Sequence, residues 1–313
     1  MSDNQAVQPL PGSLRAAVIH CCRQLQDAGV FLGHGTDNAW DEAVALVLDA
    51  AGVADGPGIG DRQLDPGTWD RIGVLLDRRC RERLPLPYLL GKAAYAGLSF
   101  RCDPRALVPR SPLAECIGDG YAPWYAGPPP RRILDLCCGG GAIGIAAALG
   151  APRAEVVLAD IDAGALALAR ENIALHGVGE RVSVVSSDGF HGLAGELFDV
   201  ILCNPPYVDA AELARMPPEY HHEPRRGLEA GVDGLALVRR LLPRAAAHLS
   251  AHGVLFLEVG NSWRALEAAY PNVPFLWVQL AAGGHGVATL SARELRDRAS
   301  ALGYNGAGSA AAD

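Results

Sequence analysis

Lysine is almost missing from this chain: Lys92 is the single one, and arginine supplies the other long cations. Cations of both kinds are also outnumbered, 27 against 35 acidic residues, for a formal charge of −8. Such a balance lacks the positive field that phosphate-backbone binding needs, so nonspecific nucleic-acid binding is excluded as the main business. Long apolar runs are lacking too. None approaches the ~20 residues that cross a bilayer, and no charged segment followed by an apolar stretch opens the chain. Neither membrane attachment nor secretion is therefore expected. The eight cysteines (Cys21, Cys22, Cys80, Cys102, Cys116, Cys137, Cys138 and Cys203) include no C-x-x-C pair. That excludes a disulfide framework and the usual zinc spacing, and fits small buried thiols in a reducing, cytoplasmic compartment.

What is present is organised in two regions. Residues 13–50 and 67–83 read as helices, with Ile72, Leu75 and Leu76 at helical spacing and Pro85 and Pro87 ending the third helix. The segment Tyr95 to Val108 reads as a hairpin turning at Asp103-Pro104. From Ile133 onward, short apolar strands alternate with helices: Ile133–Leu136, Val156–Ala159, Val182–Val185, Val200–Cys203 and Leu255–Val259. That alternation predicts an α/β fold, a mostly parallel sheet with helices on both faces. Phe275–Leu280 and Val287–Ser291 around Gly283-Gly284 predict a closing hairpin, and the small polar tail after Gly303 a mobile end. The expected domains are a helical unit over 1–90, a β-hairpin and linker over 91–122, and the α/β domain over 123–313.

The strand at Ile133 runs into Asp135-Leu136-Cys137-Cys138-Gly139-Gly140-Gly141-Ala142-Ile143-Gly144, where Gly139, Gly141 and Gly144 satisfy G-x-G-x-x-G. Strand, glycine loop and helix in that order place a nucleotide-type ligand at the loop, although three glycines also have a packing explanation. Asp160 ends the next strand, about twenty residues on, where a carboxylate can accept both ribose hydroxyls. Asp135 then separates the cofactors. It would repel a pyrophosphate, whereas the ammonium and sulfonium of S-adenosylmethionine favour an acid. Asp188, ending the third strand, is placed to accept from an adenine amino group. A helix cap or turn is the alternative for Asp135 and Asp188.

Directly after the fourth strand stands Asn204-Pro205-Pro206-Tyr207. Two prolines make a stiff ledge at the carboxyl edge of the sheet, where open α/β folds bind ligands. A planar nitrogen is a poor nucleophile because its lone pair is delocalised. The Asn204 side-chain oxygen and the Pro205 carbonyl could accept its two N–H protons, raise its electron density and aim it at a sulfonium methyl. Tyr207 could stack on the flat group.

These stretches resemble the class I S-adenosylmethionine-dependent methyltransferases of amino nitrogens, the branch that holds N6-adenine and protein N5-glutamine enzymes. The acidic charge argues against DNA. Leu107-Val108-Pro109-Arg110-Ser111-Pro112, with Glu115 on the following helix, is similar to the linker of the glutamine enzymes that act on a large-subunit ribosomal protein, the third. So are Gly33 to Ala43 and Glu219-Tyr220-His221-His222-Glu223-Pro224. The resemblance spans about residues 14–298. It implies a Rossmann-like class I fold, with Cys137, Cys138, Gly139, Gly140, Gly141, Asp160, Asp188 and Gly189 around the cofactor. It implies Asn204, Pro205, Pro206, Tyr207 and Arg110 around a substrate glutamine, with no metal and no membrane. Release factors are the alternative substrate, and a non-catalytic cofactor-binding assembly factor the alternative class; the intact ledge speaks against the latter. Two departures stand out. Cys138 and Gly140 replace hydroxyl residues of the family pattern, and Gly189 replaces a larger apolar residue for which Phe190 could substitute. His221 and His222 with Glu223 invite a metal reading, but two adjacent imidazoles in a loop are more often solvated. Glu258 and Asn261 flank a strand end near the expected pocket, with a helix cap at Asn261 or Ser262 as the plain alternative to a substrate role.

Overall fold

The computed structural model describes residues 12–281 and 285–303. Two compact units divide it: residues 1–92 with Pro217–His222, and residues 93–216 with 223–313. The first contains α1 (Leu14–Asp27), α2 (Ala39–Ala51), α3 (Pro66–Asp77) and α4 (Leu86–Leu90). Each of the first three starts where a short polar side chain takes an orphan backbone N–H: Ser13 accepts from Ala16, Asn38 from Asp41 and Asp65 from Thr68. Their apolar faces meet in a core that includes Leu25, Leu46, Val47 and Ile72. The predicted run 13–50 is thus two helices with a turn between them. The third helical run continues past α3 to Glu82 and ends before Pro85 and Pro87, as expected, and the two prolines also open α4, where a missing N–H costs nothing.

Inside that unit lies a buried charge cluster. Arg79 is 1% exposed, and its Nε donates to Glu42 at 2.5 Å, its Nη1 to Glu219 at 3.2 Å and its Nη2 to the Phe31 carbonyl at 2.7 Å. Glu219 Oε1 also accepts the Phe31 N–H at 2.9 Å. Glu42 and Glu219 belong to two distant stretches of the sequence, so one arginine ties both into a single unit.

A hairpin of β1 (Lys92–Tyr95) and β2 (Leu98–Arg101) follows. It turns at Ala96-Gly97, both at positive φ, and not at Asp103-Pro104 as expected. Asp103 instead accepts from Arg105. Next come α5 (Leu113–Gly118), β3 (Arg132–Leu136), α6 (Ala142–Gly150), β4 (Glu155–Asp160), α7 (Ala163–His176), β5 (Val182–Ser186) and β6 (Phe198–Cys203). The chain continues with α8 (Ala210–Leu213), α9 (Val238–Ala245), β7 (Leu249–Glu258), α10 (Trp263–Ala269), β8 (Leu276–Trp277), β9 (Val287–Ser291) and α11 (Ala292–Asp297). The seven strands order as β5-β4-β3-β6-β7-β9-β8, with β5 through β7 parallel and β9 antiparallel to β7 and β8. The expected closing hairpin is therefore present, while Gly283-Gly284 and the tail beyond Gly303 lie outside the described residues.

The central strands read as unbroken apolar runs because both faces are covered. Ile133, Val156, Leu158, Val200, Leu202 and Phe256 point into one core, with α5, α6 and α7. Leu134, Val157, Ala159, Ile201, Leu255 and Leu257 point into the other, with α9, α10 and α11. Gly144 belongs to this packing: a Cβ there would stand 2.1 Å from Leu158 and 2.8 Å from the Asp135 Cβ. The glycine that completes the nucleotide-loop pattern is thus required by close helix–strand contact.

Arg79→Met should cost about 3–5 kcal/mol of unfolding free energy, since it leaves Glu42 buried without its cation and Glu219 with Arg83 alone. Glu82→Ala, which breaks an exposed pair with Arg78, should move it by less than about 0.5 kcal/mol. Urea denaturation of both variants checks the contrast.

Candidate active site

Sheet order and register build the site. The chain runs from β3 outward through β4 and β5, then returns to lay β6 and β7 on the other side of β3. The strand order therefore reverses between β3 and β6, where open α/β sheets bind ligands. Ala159, Leu136, Cys203 and Leu257 lie in one register row. One residue further on, at the carboxyl edge, the row reads Asp160, Cys137, Asn204, Glu258. With about 5 Å per strand, Asp160 and Asn204 stand about 10 Å apart, the span of a nucleoside with its sulfonium substituent.

The glycine loop is held from below. Cys137 adopts a positive φ of 64°, and the Cys137 and Cys138 N–H groups both donate to the Ala159 carbonyl at 2.9 and 3.1 Å. Gly139 N–H donates to Asp160 Oδ2 at 2.9 Å, and Asp162 N–H to Asp160 Oδ1 at 2.9 Å. Each carboxylate oxygen keeps a further lone pair for a ribose hydroxyl. Burial pushes Asp160 up, opposed by those backbone donors. A Cβ at Gly139 would meet only Ala106, at 3.7 Å, so this glycine serves its φ of 53° and not a tight contact.

Asp135 is fully buried beneath the loop. Oδ2 accepts the Gly144 N–H at 2.8 Å, while Oδ1 is buried and has no hydrogen-bond partner among the described residues. Burial pushes its carboxyl up to about 7, with the Asp160 charge adding to the rise. A buried acid with one unmatched acceptor, under a loop without a phosphate-binding cation, fits a cationic donor and disfavours a pyrophosphate.

Asp188 lies two residues past β5 and pairs with Arg240 at 2.5 Å. Together with Gly189, Phe190, Arg239, Leu241, Pro243 and Arg244 they line a cavity of about 220 Å³. Gly189 has a φ of 57°, and a Cβ there would come to 2.8 Å from Leu241. Phe190 is buried and stacks on His248 at 4.4 Å while also lining that cavity.

Beyond β6, Asn204 is half-buried, Pro205 buried, and Pro206 and Tyr207 half-buried. The Tyr207 hydroxyl donates to Glu258 Oε1 at 3.2 Å, and Ser262 Oγ donates to the Tyr207 carbonyl at 2.8 Å. Ser262 is thus engaged with the ledge and makes no helix-cap bond, and Asn261 donates to Glu212 at 2.8 Å. Arg110, expected at the substrate, places its fork on buried Glu223 at 2.7 and 2.6 Å. Glu223 also accepts the Val108 N–H at 2.9 Å. Arg110 therefore braces the linker stretch. His222 Nε2 lies 2.8 Å from the Glu82 carbonyl. No metal-holding cluster of His, Cys, Asp or Glu occurs among the described residues.

Residues 126–216 match the family model "Methyltransferase small domain". A ribosomal protein uL3 glutamine methyltransferase of Francisella tularensis is 45% identical over 270 residues, 85% of this chain and 86% of that one. The counterpart of Bordetella pertussis is 42% identical over 299 residues, 94% of this chain and 98% of that one. The chain belongs to the ribosomal protein uL3 glutamine methyltransferase family. A solved T. thermophilus 16S rRNA N2 G1207 methyltransferase is also similar, 20% identical over 64% of this chain and 49% of that one, with a TM-score of 0.43. Members of this uL3 family carry out methyl transfer, and the class I fold expected from the sequence is the one described above.

Asp160→Ala should weaken S-adenosylmethionine by on the order of 2–4 kcal/mol, two charge-assisted hydrogen bonds, as calorimetry would read it. Unchanged affinity in a folded variant would place Asp160 outside the site. A second expectation concerns pH. Asp135 binds its proton more tightly folded than unfolded, so its burial costs stability as pH rises from about 4 to about 7. Asp135→Asn stays neutral and should therefore gain on the wild type between pH 5 and pH 8 in urea denaturation, while losing cofactor affinity.

Proposed function

We propose that this protein transfers a methyl group from S-adenosylmethionine to the side-chain N5 of a glutamine in ribosomal protein uL3. The observation that carries the reading is the row of strand ends, with a ribose-type carboxylate at Asp160 and an amide clamp at Asn204 two strands away. The names of the relatives at 42–46% identity supply the substrate. S-adenosylmethionine supplies an electrophilic methyl and leaves as a neutral thioether. Asp160 would hold the ribose, the Cys137 to Gly141 loop the methionine end, and Asp135 the cationic balance.

The rest falls to the ledge. The Asn204 oxygen and the Pro205 carbonyl accept the two amide protons and turn the nitrogen lone pair towards the donor. Those two acceptors raise electron density on a nitrogen that resonance otherwise keeps unreactive. Tyr207 packs on the planar amide and excludes water. Orientation and fixed dipoles do the work: no base need ionise the amide beforehand, and as the N–CH3 bond forms and the S–CH3 bond breaks, the methylated nitrogen gives up one N–H proton to solvent.

Substrate choice is proposed to reside in the helical unit, because a single amide offers too little surface to distinguish proteins. Residues 217–222 count with that unit, so an exchange of 1–92 alone would strand Arg79 without Glu219. A fair exchange with a release-factor enzyme carries both segments.

Intact-mass analysis of ribosomal proteins and release factors from cells lacking this protein tests the substrate. One methyl should be missing from uL3; a methyl missing from a release factor instead would overturn the assignment. Complementation with Asn204→Ala should not restore it. In vitro that variant should keep cofactor affinity and lose turnover by on the order of a hundredfold.

A further inference from the structure

Glu258 has no part in the clamp just described, yet it holds the residue that does. It follows Leu257 as Asn204 follows Cys203, so the two are neighbours across the sheet edge. Its side chain is 4% exposed. Oε1 accepts the Tyr207 hydroxyl at 3.2 Å and Oε2 accepts the Ser111 hydroxyl at 2.5 Å. Ser111 Oγ in turn accepts the Leu113 N–H at 3.2 Å, which ties the group to the start of α5. The ring of Tyr207 is boxed in as well: a Cβ on Gly260 would stand 2.5 Å from its Cε2 and 2.9 Å from its Cζ. Among the described residues no cation hydrogen-bonds Glu258. A carboxyl buried this way is expensive, and a tyrosine that only needed anchoring could use an amide or a hydroxyl.

We infer that Glu258 is a positioning residue for methyl transfer, fixing the hydroxyl end of Tyr207 and with it the plane of the ring beside the Asn204 clamp. The inference rests on the clamp reading above. When ionised, Glu258 accepts both hydroxyls; when protonated, it accepts only one and must donate towards the other, so the arrangement of Ser111, Glu258 and Tyr207 changes. Burial pushes its carboxyl up to about 7, against the hydroxyls of Ser111 and Tyr207 and the charge of Arg110. Tyr95, Cys116 and Cys203 are the other titratable groups that sense it. Turnover should therefore rise with pH through about 7.

The test uses the full chain, with recombinant uL3 as substrate. Glu258→Ala should keep S-adenosylmethionine affinity and KM for uL3 within about twofold while kcat falls by on the order of tenfold or more. Glu258→Gln preserves shape, can accept from Tyr207 and donate to Ser111, and stays neutral. As a mimic of the protonated acid it should hold turnover near the wild type's low-pH level at every pH, without the inflection near pH 7. A folded Glu258→Ala with wild-type kcat, or a Glu258→Gln that keeps the inflection, overturns the inference. A second readout needs no substrate. In protein labelled with ¹³C-tyrosine, the Tyr207 ring signal, assigned through Tyr207→Phe, should titrate near pH 7 in the wild type and not in Glu258→Gln. Absence of uL3 methylation by the wild type would defeat the substrate assignment alone, whereas a Tyr207 signal indifferent to pH and to Glu258→Gln defeats the positioning role.

Discussion

Parallel register is the constraint on which the rest of this molecule depends. Parallel strands bring their carboxyl ends to one edge, and the pairing Ala159–Leu136–Cys203–Leu257 decides which side chains come next. A slip of one residue in β6 would turn Asn204 to the opposite face and bury the wrong set of side chains. The two apolar layers therefore do more than stabilise the sheet. By accepting only one alternation of residues, they fix a polar row at its rim to within the tolerance of a hydrogen bond.

Two acids, one in the strand beneath that row and one in the row itself, are placed where they oppose folding. Asp135 and Glu258 are both buried acids held well above the ordinary carboxylate range by loss of water. Neither has an arginine or lysine hydrogen-bonded to it among the described residues, in contrast to Glu223 and Glu219, which do. The molecule thus treats its buried carboxylates in two ways. Those that brace loops are neutralised by arginine, and those at the sheet edge are left to respond to what binds there.

Much of this was legible in the residues. The five central strands were found because β-strands buried on both faces leave continuous apolar runs, and Asp160 and Asn204 because they end such runs. Asp188 is legible from its strand and Arg110 from a likeness of motif, and neither signal says what else competes for a charge: Arg240 meets the first and Glu223 the second. The hairpin was set too late because Asp-Pro resembles a turn, while Ala96-Gly97, which makes it, relies on a backbone conformation that alanine seldom advertises. The bond between Tyr207 and Glu258 spans 51 positions and becomes visible only once β6 and β7 are known to be neighbours.

The chain's excursion at Pro217–His222 has a bearing on how the protein is made. Synthesis proceeds from the N-terminus, so α1 to α4 emerge long before Glu219 does. In that interval Arg79 has Glu42 but not its second carboxylate, and the Phe31 N–H waits for its acceptor. The helical unit can collapse early, but it closes its polar interior only after β3 to β6 have left the ribosome. Completion of the first unit is thereby made contingent on the arrival of the second, and a truncated chain ending within the sheet carries an unfinished N-terminal half.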